Sequence, residues 1–239
     1  MKAEGKTELK LGEGEWRVEK GDLNGKYFLL DKPTKISGQE RGKTTLVGFS
    51  LLIKGNESEG IVEIEDLTIK GGEEYGLYAY KGMNVIMRGC TVEECQKSGV
   101  YAYHADISCV DLQVVGCGES GVWAYNNATI TLSGQGTNIQ RNVTKGRSDR
   151  YGLHVSNPSS SKIHLVLPLA KEQISTNNGG GGLGEFWRKD WIGQSPTDNG
   201  GGGNWGGDGT IEQIGGGSPV GETKSDSTTP PVSLILFSG

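Results

Sequence analysis

The sequence predicts an all-β fold, a right-handed parallel β-helix in which short strands stack through a repeat of about 22 residues. Three observations predict it: a recurring glycine-led segment, apolar columns that alternate with polar residues, and 41 glycines beside only 33% hydrophobic residues in a chain of 239. Alternation is the periodicity of strands rather than of helices. So much glycine indicates many turns around a thin core.

Four segments begin alike, each with a glycine followed by alternating apolar and aromatic residues. Their leading glycines are Gly76, Gly99, Gly121 and Gly152, which lie 23, 22 and 31 residues apart, so the last coil carries a longer loop. Further apolar columns are Val62, Val85, Ile107 and Ile130; Ile64, Met87, Cys109 and Leu132; Leu67, Cys90 and Leu112; and Ile69, Val92, Val114 and Ile139. Each coil therefore has about three short strands, and it buries its apolar side only by stacking on its copies. Strands one turn apart run parallel, and parallel crossovers are almost always right-handed.

One turn position follows three residues after the last apolar column. It holds Cys95, Cys117, Asn142 and, after Ile174, Asn177. Asn or Cys stacked at an inner turn can satisfy neighbouring backbone groups or fill the corner. We expect Cys95 and Cys117 to be adjacent and interpret them as a reduced structural pair, with a disulfide as the alternative.

The chain divides into four parts by composition. They are residues 1–44, an N-terminal cap with the first coils; 45–182, the β-helix coils, six or seven in number; 183–214, a Gly/Trp-rich insertion and cap; and 215–239, a low-complexity tail. Solenoid ends need covering. The insertion, with Phe186, Trp187 and Trp191, is therefore a candidate cap.

Alternation along the glycine-led strands places six aromatic side chains on the outer face of one sheet. One column holds Tyr78, Tyr101, Trp123 and then His154, and the next holds Tyr80, Tyr103 and Tyr125. Exposed aromatic arrays usually have a partner, and a rise of about 4.8 Å per coil roughly matches one saccharide unit of an extended chain. We expect a ligand-binding face for a glycan or a protein. The alternatives are rings that stack only for stability, or that are covered by the insertion or by a second subunit in a homo-oligomer.

A long loop beside this face, residues 141–151, brings Asp149 and Arg150 next to His154. An enzyme that acts on an acidic polysaccharide needs a base, and a cation or Ca²⁺ to neutralise the uronate. The outward middle column reads Glu63, Ile86, Ser108 and Thr131, without stacked acids for Ca²⁺ or a close carboxylate pair for glycoside hydrolysis. We therefore expect a non-catalytic module. The alternative is a polysaccharide lyase, epimerase or glycoside hydrolase that uses Asp149, Arg150 and His154.

Charge and motifs exclude several other functions. A net charge of −5 with mixed signs leaves no footprint for nucleic acid and no polybasic patch for a membrane. The polar opening at Met1 to Gly5 lacks an apolar core, so we expect no signal peptide there, and the compartment stays open. Residues 38–44 are one residue short of a phosphate loop and lead into a strand. We expect no cofactor and no metal.

Two parts of the chain resemble known proteins. The alternating segment from Leu9 to Val18, followed by Ile36-Ser37-Gly38 and Lys43-Thr44-Thr45-Leu46, resembles the first coils of pectin-lyase-like β-helix proteins. The stretch from Lys162-Ile163-His164-Leu165 through Asn178 to Gly182, followed by the stretch from Asn204-Trp205-Gly206 to Ile211, is similar to uncharacterised β-helix proteins of algae and large algal viruses. The resemblance implies the β-helix fold over most of the chain and brings no chemistry with it.

Overall fold

A computed structural model describes residues 7–17, 27–55, 60–157, 160–179 and 203–215. Almost all regular structure in these residues is short strands. In chain order the elements are β1 (Thr7–Lys10), β2 (Gly14–Arg17), β3 (Phe28–Leu30), β4 (Thr34–Ser37), β5 (Thr44–Val47), β6 (Leu51–Ile53), β7 (Ile61–Glu65), β8 (Thr68–Lys70), β9 (Leu77–Tyr80), β10 (Asn84–Arg88), β11 (Thr91–Glu93), β12 (Val100–Tyr103), β13 (Asp106–Val110), β14 (Gln113–Val115), β15 (Val122–Tyr125), β16 (Thr129–Ser133), β17 (Asn138–Gln140), β18 (Tyr151–Ser156), β19 (Lys162–Val166), α1 (Lys171–Ile174), β20 (Ser175–Thr176), β21 (Gly203–Gly207) and β22 (Thr210–Ile214).

The strands form three parallel sheets, and each coil contributes one strand to each sheet. Sheet A has the order β1-β4-β7-β10-β13-β16-β19-β22, sheet B has β2-β5-β8-β11-β14-β17-β20, and sheet C has β3-β6-β9-β12-β15-β18-β21. Every strand pairs in parallel with the equivalent strand one coil away, so backbone hydrogen bonds run along the solenoid axis. The prediction of an all-β parallel β-helix is confirmed.

The core is the narrow space between the three sheets. The register aligns Val62, Val85 and Ile107 in sheet A and Ile69 with Val92 in sheet B, as the alternation predicts. These side chains are buried, at 0–1% exposure. Because each coil repeats the same inward positions, the core is a continuous apolar column and not a separate cluster for each coil.

Close approach between sheets B and C explains the glycine that leads each repeat. A Cβ at Gly76 would lie 2.2 Å from Cγ1 of Val92, and a Cβ at Gly99 would lie 2.3 Å from Cγ1 of Val114. Real Cβ atoms do not approach carbon this closely, because packed interiors have no room for the overlap. The glycines are therefore required by sterics at the corner where the chain enters sheet C.

A buried ladder of asparagines occupies the inner turn between sheets B and C. Oδ1 of Asn142 accepts the backbone N–H of Cys117 at 3.0 Å, and Nδ2 of Asn142 donates to the carbonyl of Val114 at 3.0 Å. One coil further on, Oδ1 of Asn178 accepts the backbone N–H of Asn142 at 3.0 Å, and Oδ1 of Asn204 accepts that of Asn178 at 3.0 Å. The predicted role of this position, to satisfy backbone groups at the turn, agrees with these bonds.

The prediction of Asn177 in this ladder is wrong, because Asn178 takes the place. Ile139 pairs in register with Ser175 rather than with Ile174, since α1 ends at Ile174 and shifts the alignment by one residue. Asn177 instead adopts a left-handed backbone with φ of 54°. The four cysteines of the chain are free and buried, and the thiols of Cys95 and Cys117 donate to the carbonyls of Glu93 at 3.6 Å and Val115 at 3.9 Å.

The coils extend beyond the boundary at residue 182 that we expected. Strand β21 pairs with β18 in sheet C, and β22 pairs with β19 in sheet A, so regular stacking reaches Ile214. The insertion with Phe186, Trp187 and Trp191 lies outside the described residues, and its role as a cap stays a prediction. Across the described ranges, no helix has both the length and the apolar character needed to cross a membrane.

Candidate functional site

Sheet C carries the aromatic residues in two columns on its outer face. In register along the axis lie Tyr78, Tyr101, Trp123 and His154, which we call column 1, and Tyr80, Tyr103, Tyr125 and Ser156, which we call column 2. We refer to the two columns together as the aromatic ladder. Each rung is one coil from the next because all these strands are parallel and in the same register.

The rings of column 1 stack on one another. The centroid of Tyr101 lies 4.9 Å from that of Tyr78 and 4.7 Å from that of Trp123. The rings of Trp123 and His154 are 4.8 Å apart and nearly parallel, at 5°. Offset stacking at these separations is favourable. The ring faces of column 1 are consequently occupied by neighbouring rungs.

Column 2 is stacked but more open. Tyr80 and Tyr103 are 5.2 Å apart at 12°, and Tyr103 and Tyr125 are 5.6 Å apart at 49°. Within the described part of the chain, the hydroxyls of these three tyrosines bond to no protein group. Each of the three side chains is partly exposed. Column 2 therefore presents ring edges and a row of free hydroxyls, one per coil.

Tyr101 departs from the expectation of an open sheet of six rings. It is only 7% exposed, because Tyr75 stacks on it at 4.9 Å in addition to the rungs of column 1 on either side. The alternation correctly places Tyr101 on the outer face. The alternation does not show that Tyr75, at the corner before strand β9, covers Tyr101.

The sequence reasoning missed three further tyrosines of this surface. Tyr75 contacts Tyr78 at 5.3 Å, Tyr27 contacts Tyr78 at 6.3 Å, and Tyr151 contacts His154 edge-on at 5.3 Å. A signal exists for two of them: Tyr75 and Tyr151 directly precede a leading glycine, a position that is serine in the two intervening repeats.

Arg150 links the long loop to column 1. Its guanidinium lies 4.5 Å from the ring centroid of Trp123, a cation–π distance. It also pairs with Asp149 at 2.6 Å and with Glu119 at 3.5 Å. The structure thus brings Asp149, Arg150 and Trp123 together, but the guanidinium of Arg150 is paired with the carboxylates of Asp149 and Glu119.

Asp149 is held as a carboxylate. Burial alone would raise its pKa, but the hydrogen bond from Arg147 and the charges of Arg150 and Arg147 outweigh that effect and lower the pKa. Arg147 reaches the same carboxylate at 3.0 Å. A carboxylate bound by two guanidiniums is a weak base and carries no proton to donate.

His154 is buried and neutral. It is 4% exposed, and burial, reinforced by the charge of Arg150, lowers its pKa to about 3. Its Nδ1 lies 3.0 Å from Oγ of Ser120, and Trp123 and Tyr151 cover the ring. His154 therefore acts as the last rung of column 1 and as a hydrogen-bond partner inside the protein.

The phenols of Tyr75, Tyr78 and Tyr101 remain protonated over the ordinary pH range. Burial, followed by the charges of neighbouring groups, raises the pKa of Tyr78 and of Tyr75 to about 12. The same causes raise the pKa of Tyr101 still further. In the described ranges no three of His, Cys, Asp and Glu come together as a metal site.

These features define the class of the protein as a parallel β-solenoid with a stacked aromatic ladder on one face. Residues 50–183, more than half of the chain, match the family model described as the right handed beta helix region, and the chain belongs to this family. The resemblance to right-handed β-helix proteins is thereby confirmed. Searches among curated proteins and among solved structures return no match.

Proposed function

We propose that the protein is a non-catalytic binding module that holds a glycan chain along the aromatic ladder. The observation that carries the proposal is column 2, where Tyr80, Tyr103 and Tyr125 present free hydroxyls in register. Their spacing is the rise of the solenoid, about 4.8 Å. A polymer with a comparable repeat meets equivalent donors and acceptors at each coil.

Rigidity supports binding by these side chains. A tyrosine has two side-chain torsions, and stacking within column 2 restricts both before any ligand arrives. Little side-chain entropy is then lost when a ligand hydroxyl binds, so more of each contact contributes to affinity. The raised pKa of Tyr78 keeps that phenol a neutral donor as well.

The charges beside column 1 favour a neutral glycan. Lys97 pairs with Glu74 at 3.0 Å, and Arg147 and Arg150 both pair with Glu119 at 3.5 Å. Paired charges give column 1 little net potential with which to attract a polyanion, and a neutral polysaccharide binds through hydroxyls and C–H groups instead. The first rung of column 2 differs, because Lys54 and Lys81 lie 5.6 and 5.8 Å from the ring centroid of Tyr80 and form no ion pair within the described residues.

Binding is a better account than catalysis for the residues nearest the ladder. A general acid or base must change its protonation state near the working pH and must reach the substrate. His154 is neutral and covered, and Asp149 is ionised and bound to two arginines. Neither meets both requirements.

The test removes the hydroxyls and keeps the rings. A Tyr80→Phe/Tyr103→Phe/Tyr125→Phe variant and the wild type are screened on a glycan array, and the glycans bound by the wild type are titrated calorimetrically against both. A net hydrogen bond contributes about 0.5–1.5 kcal/mol. We expect the triple variant to bind at least about tenfold more weakly. Tyr101→Phe is the matched control, because that residue is 7% exposed.

Three results would overturn the proposal. One is a wild-type protein that binds no glycan on the array. Another is turnover of a uronate polymer by the wild type, which would favour a lyase, epimerase or hydrolase. The third is self-association of the wild type in sedimentation equilibrium that the triple variant abolishes, which would make a second copy of the chain the partner of the ladder.

A further inference from the structure

A polar depression lies next to the aromatic ladder, at the corner where the chain passes from sheet C to sheet A. It spans three successive coils and has a volume of about 240 Å³. The lining residues are Gly82, Met83, Asn84, His104, Ala105, Asp106 and Asn127. This volume lies below the roughly 300–1,000 Å³ of sites for drug-sized ligands, and it suits a single small ring.

The lining is mainly polar. Met83 and Ala105 are 2% and 6% exposed and belong to the hydrophobic core, whereas Asn84 and Asp106 form an exposed polar rim at the starts of strands β10 and β13. The hydroxyls around the edge of a pyranose ring complement such a rim. Sites of this kind use a few convergent polar groups to fix the orientation of the ligand.

The position of His104 is fixed by a relay of amides along the corner. Nδ2 of Asn157 donates to Oδ1 of Asn126 at 2.8 Å, which turns the Nδ2 of Asn126 towards Nε2 of His104 at 2.6 Å. Since an amide nitrogen can only donate, Nε2 accepts this bond, and the N–H donor of the His104 ring is at Nδ1. His104 therefore keeps a donor, Nδ1–H, for another partner.

The rim has hydrogen-bonding capacity that the protein does not use. In the described part of the chain, the carboxylate of Asp106 forms no ion pair, and the side chain of Asn84 forms no hydrogen bond. The carboxylate only accepts, His104 donates, and the Asn84 amide does both. A pair of neighbouring sugar hydroxyls, each able to donate and accept, complements this set. An anion does not, because Asp106 would repel it.

We propose that the depression is a subsite for one neutral pyranose unit, held by a pair of its neighbouring hydroxyls. The inference rests on the proposed function, because the ring of His104 meets that of Tyr103 edge-on at 4.7 Å and so joins the depression to column 2. A glycan chain on the ladder places one unit at this corner. The ladder then contributes affinity along the polymer, and the depression selects among sugars by the orientation of their hydroxyls.

The experiment compares Asp106→Asn with the matched control Asp31→Asn. Both aspartates are exposed at the same corner of the solenoid, three coils apart. The probes are cellohexaose, laminarihexaose, xylohexaose and mannohexaose, titrated calorimetrically into the folded proteins. A hydrogen bond to a charged group is among the stronger ones, so we expect Asp106→Asn to weaken the best probe about tenfold or more, with Asp31→Asn unchanged. His104→Asn, which tolerates the left-handed φ of 49°, should also weaken it.

The possible outcomes separate the two proposals. Unchanged affinity in Asp106→Asn, together with a loss in the triple Phe variant, overturns the subsite and leaves the ladder. A loss in Asp106→Asn with unchanged binding by the triple variant overturns the ladder and leaves a small independent sugar site. Binding of none of the four probes by the wild type overturns the subsite for neutral pyranoses.

Discussion

Replacement of Tyr101 by alanine tests whether the aromatic ladder stabilises the solenoid. Tyr101 is 7% exposed and contacts three rings, Tyr75 and Tyr78 at 4.9 Å and Trp123 at 4.7 Å. Aromatic pairs contribute about 0.5–1.5 kcal/mol each beyond the area they bury, and truncation of a buried aromatic to alanine costs about 3–5 kcal/mol. We expect Tyr101→Ala to lower the free energy of unfolding by about 3–5 kcal/mol.

Equilibrium unfolding in urea, followed by circular dichroism, measures this loss. Tyr101→Phe is the internal control, since it keeps all three ring contacts, and we expect it to lose less than about 0.5 kcal/mol. Tyr103→Ala, in the more exposed column 2, should lose less than Tyr101→Ala. A double-mutant cycle between Tyr78 and Tyr101 should give a coupling of about 0.5–1.5 kcal/mol. A loss below about 1 kcal/mol in Tyr101→Ala would refute the stacking argument, because it would mean that the rings adjoin without stabilising one another.

Four further predictions concern the interior. Asn142→Ala should lower the free energy of unfolding by about 2–5 kcal/mol, because it leaves two buried backbone groups unpaired. Urea unfolding measures this loss, and a loss within experimental error would contradict the stabilising role of the asparagine ladder. Gly99→Ala should lower the same quantity by about 1–3 kcal/mol through overlap with Val114, whereas Gly12→Ala, where nothing lies within 4 Å of the added carbon, should not. The pKa of His154 is about 3 in the folded protein, below its ordinary value of 6.5, so the unfolded chain binds a proton at this residue more readily. The free energy of unfolding should therefore fall by up to about 1.4 kcal/mol per pH unit as the pH drops from 6.5 towards 3. His154→Gln should remove that slope, and an imidazole NMR signal that titrates near pH 6.5 in the folded protein would contradict the assignment. The four buried cysteines should react with a thiol reagent only after denaturation. A rapid reaction of the native protein would show that these thiols are accessible to solvent.

The fold could be predicted almost completely, because each coil repeats the same alternation of inward and outward residues and that alternation can be read from short segments of the sequence. Leu77, Val100 and Val122 share one column, and that column is visible in the sequence as a spacing. The alignment error at Asn177 has the same origin. A spacing argument assumes equal coils, and one turn of α-helix before β20 changes the count by a single residue.

The candidate site was less accessible to sequence reasoning. The polar depression combines Asn84, His104, Asp106 and Asn127, which come from three coils at the corner between sheets C and A. The repeat of about 22 residues aligns Asn84 with Asp106, but it does not show whether corner side chains leave a depression between them, because corner residues do not alternate inwards and outwards. The tautomer of His104 likewise depends on two amides from later coils.

By itself, the sequence determined the stacking of the chain into parallel coils, the inward and outward faces of the strands, and the aromatic residues of columns 1 and 2. Those properties follow from periodicity, because one residue pattern repeated at a fixed interval has one way to bury its apolar side. Only the tertiary structure decided which of these rings are covered and which are accessible to solvent. Tyr101 is covered and Tyr103 is partly exposed because Tyr75, at the corner before strand β9, stacks on Tyr101 and not on Tyr103. The alternation within a strand does not encode such contacts between side chains of different coils.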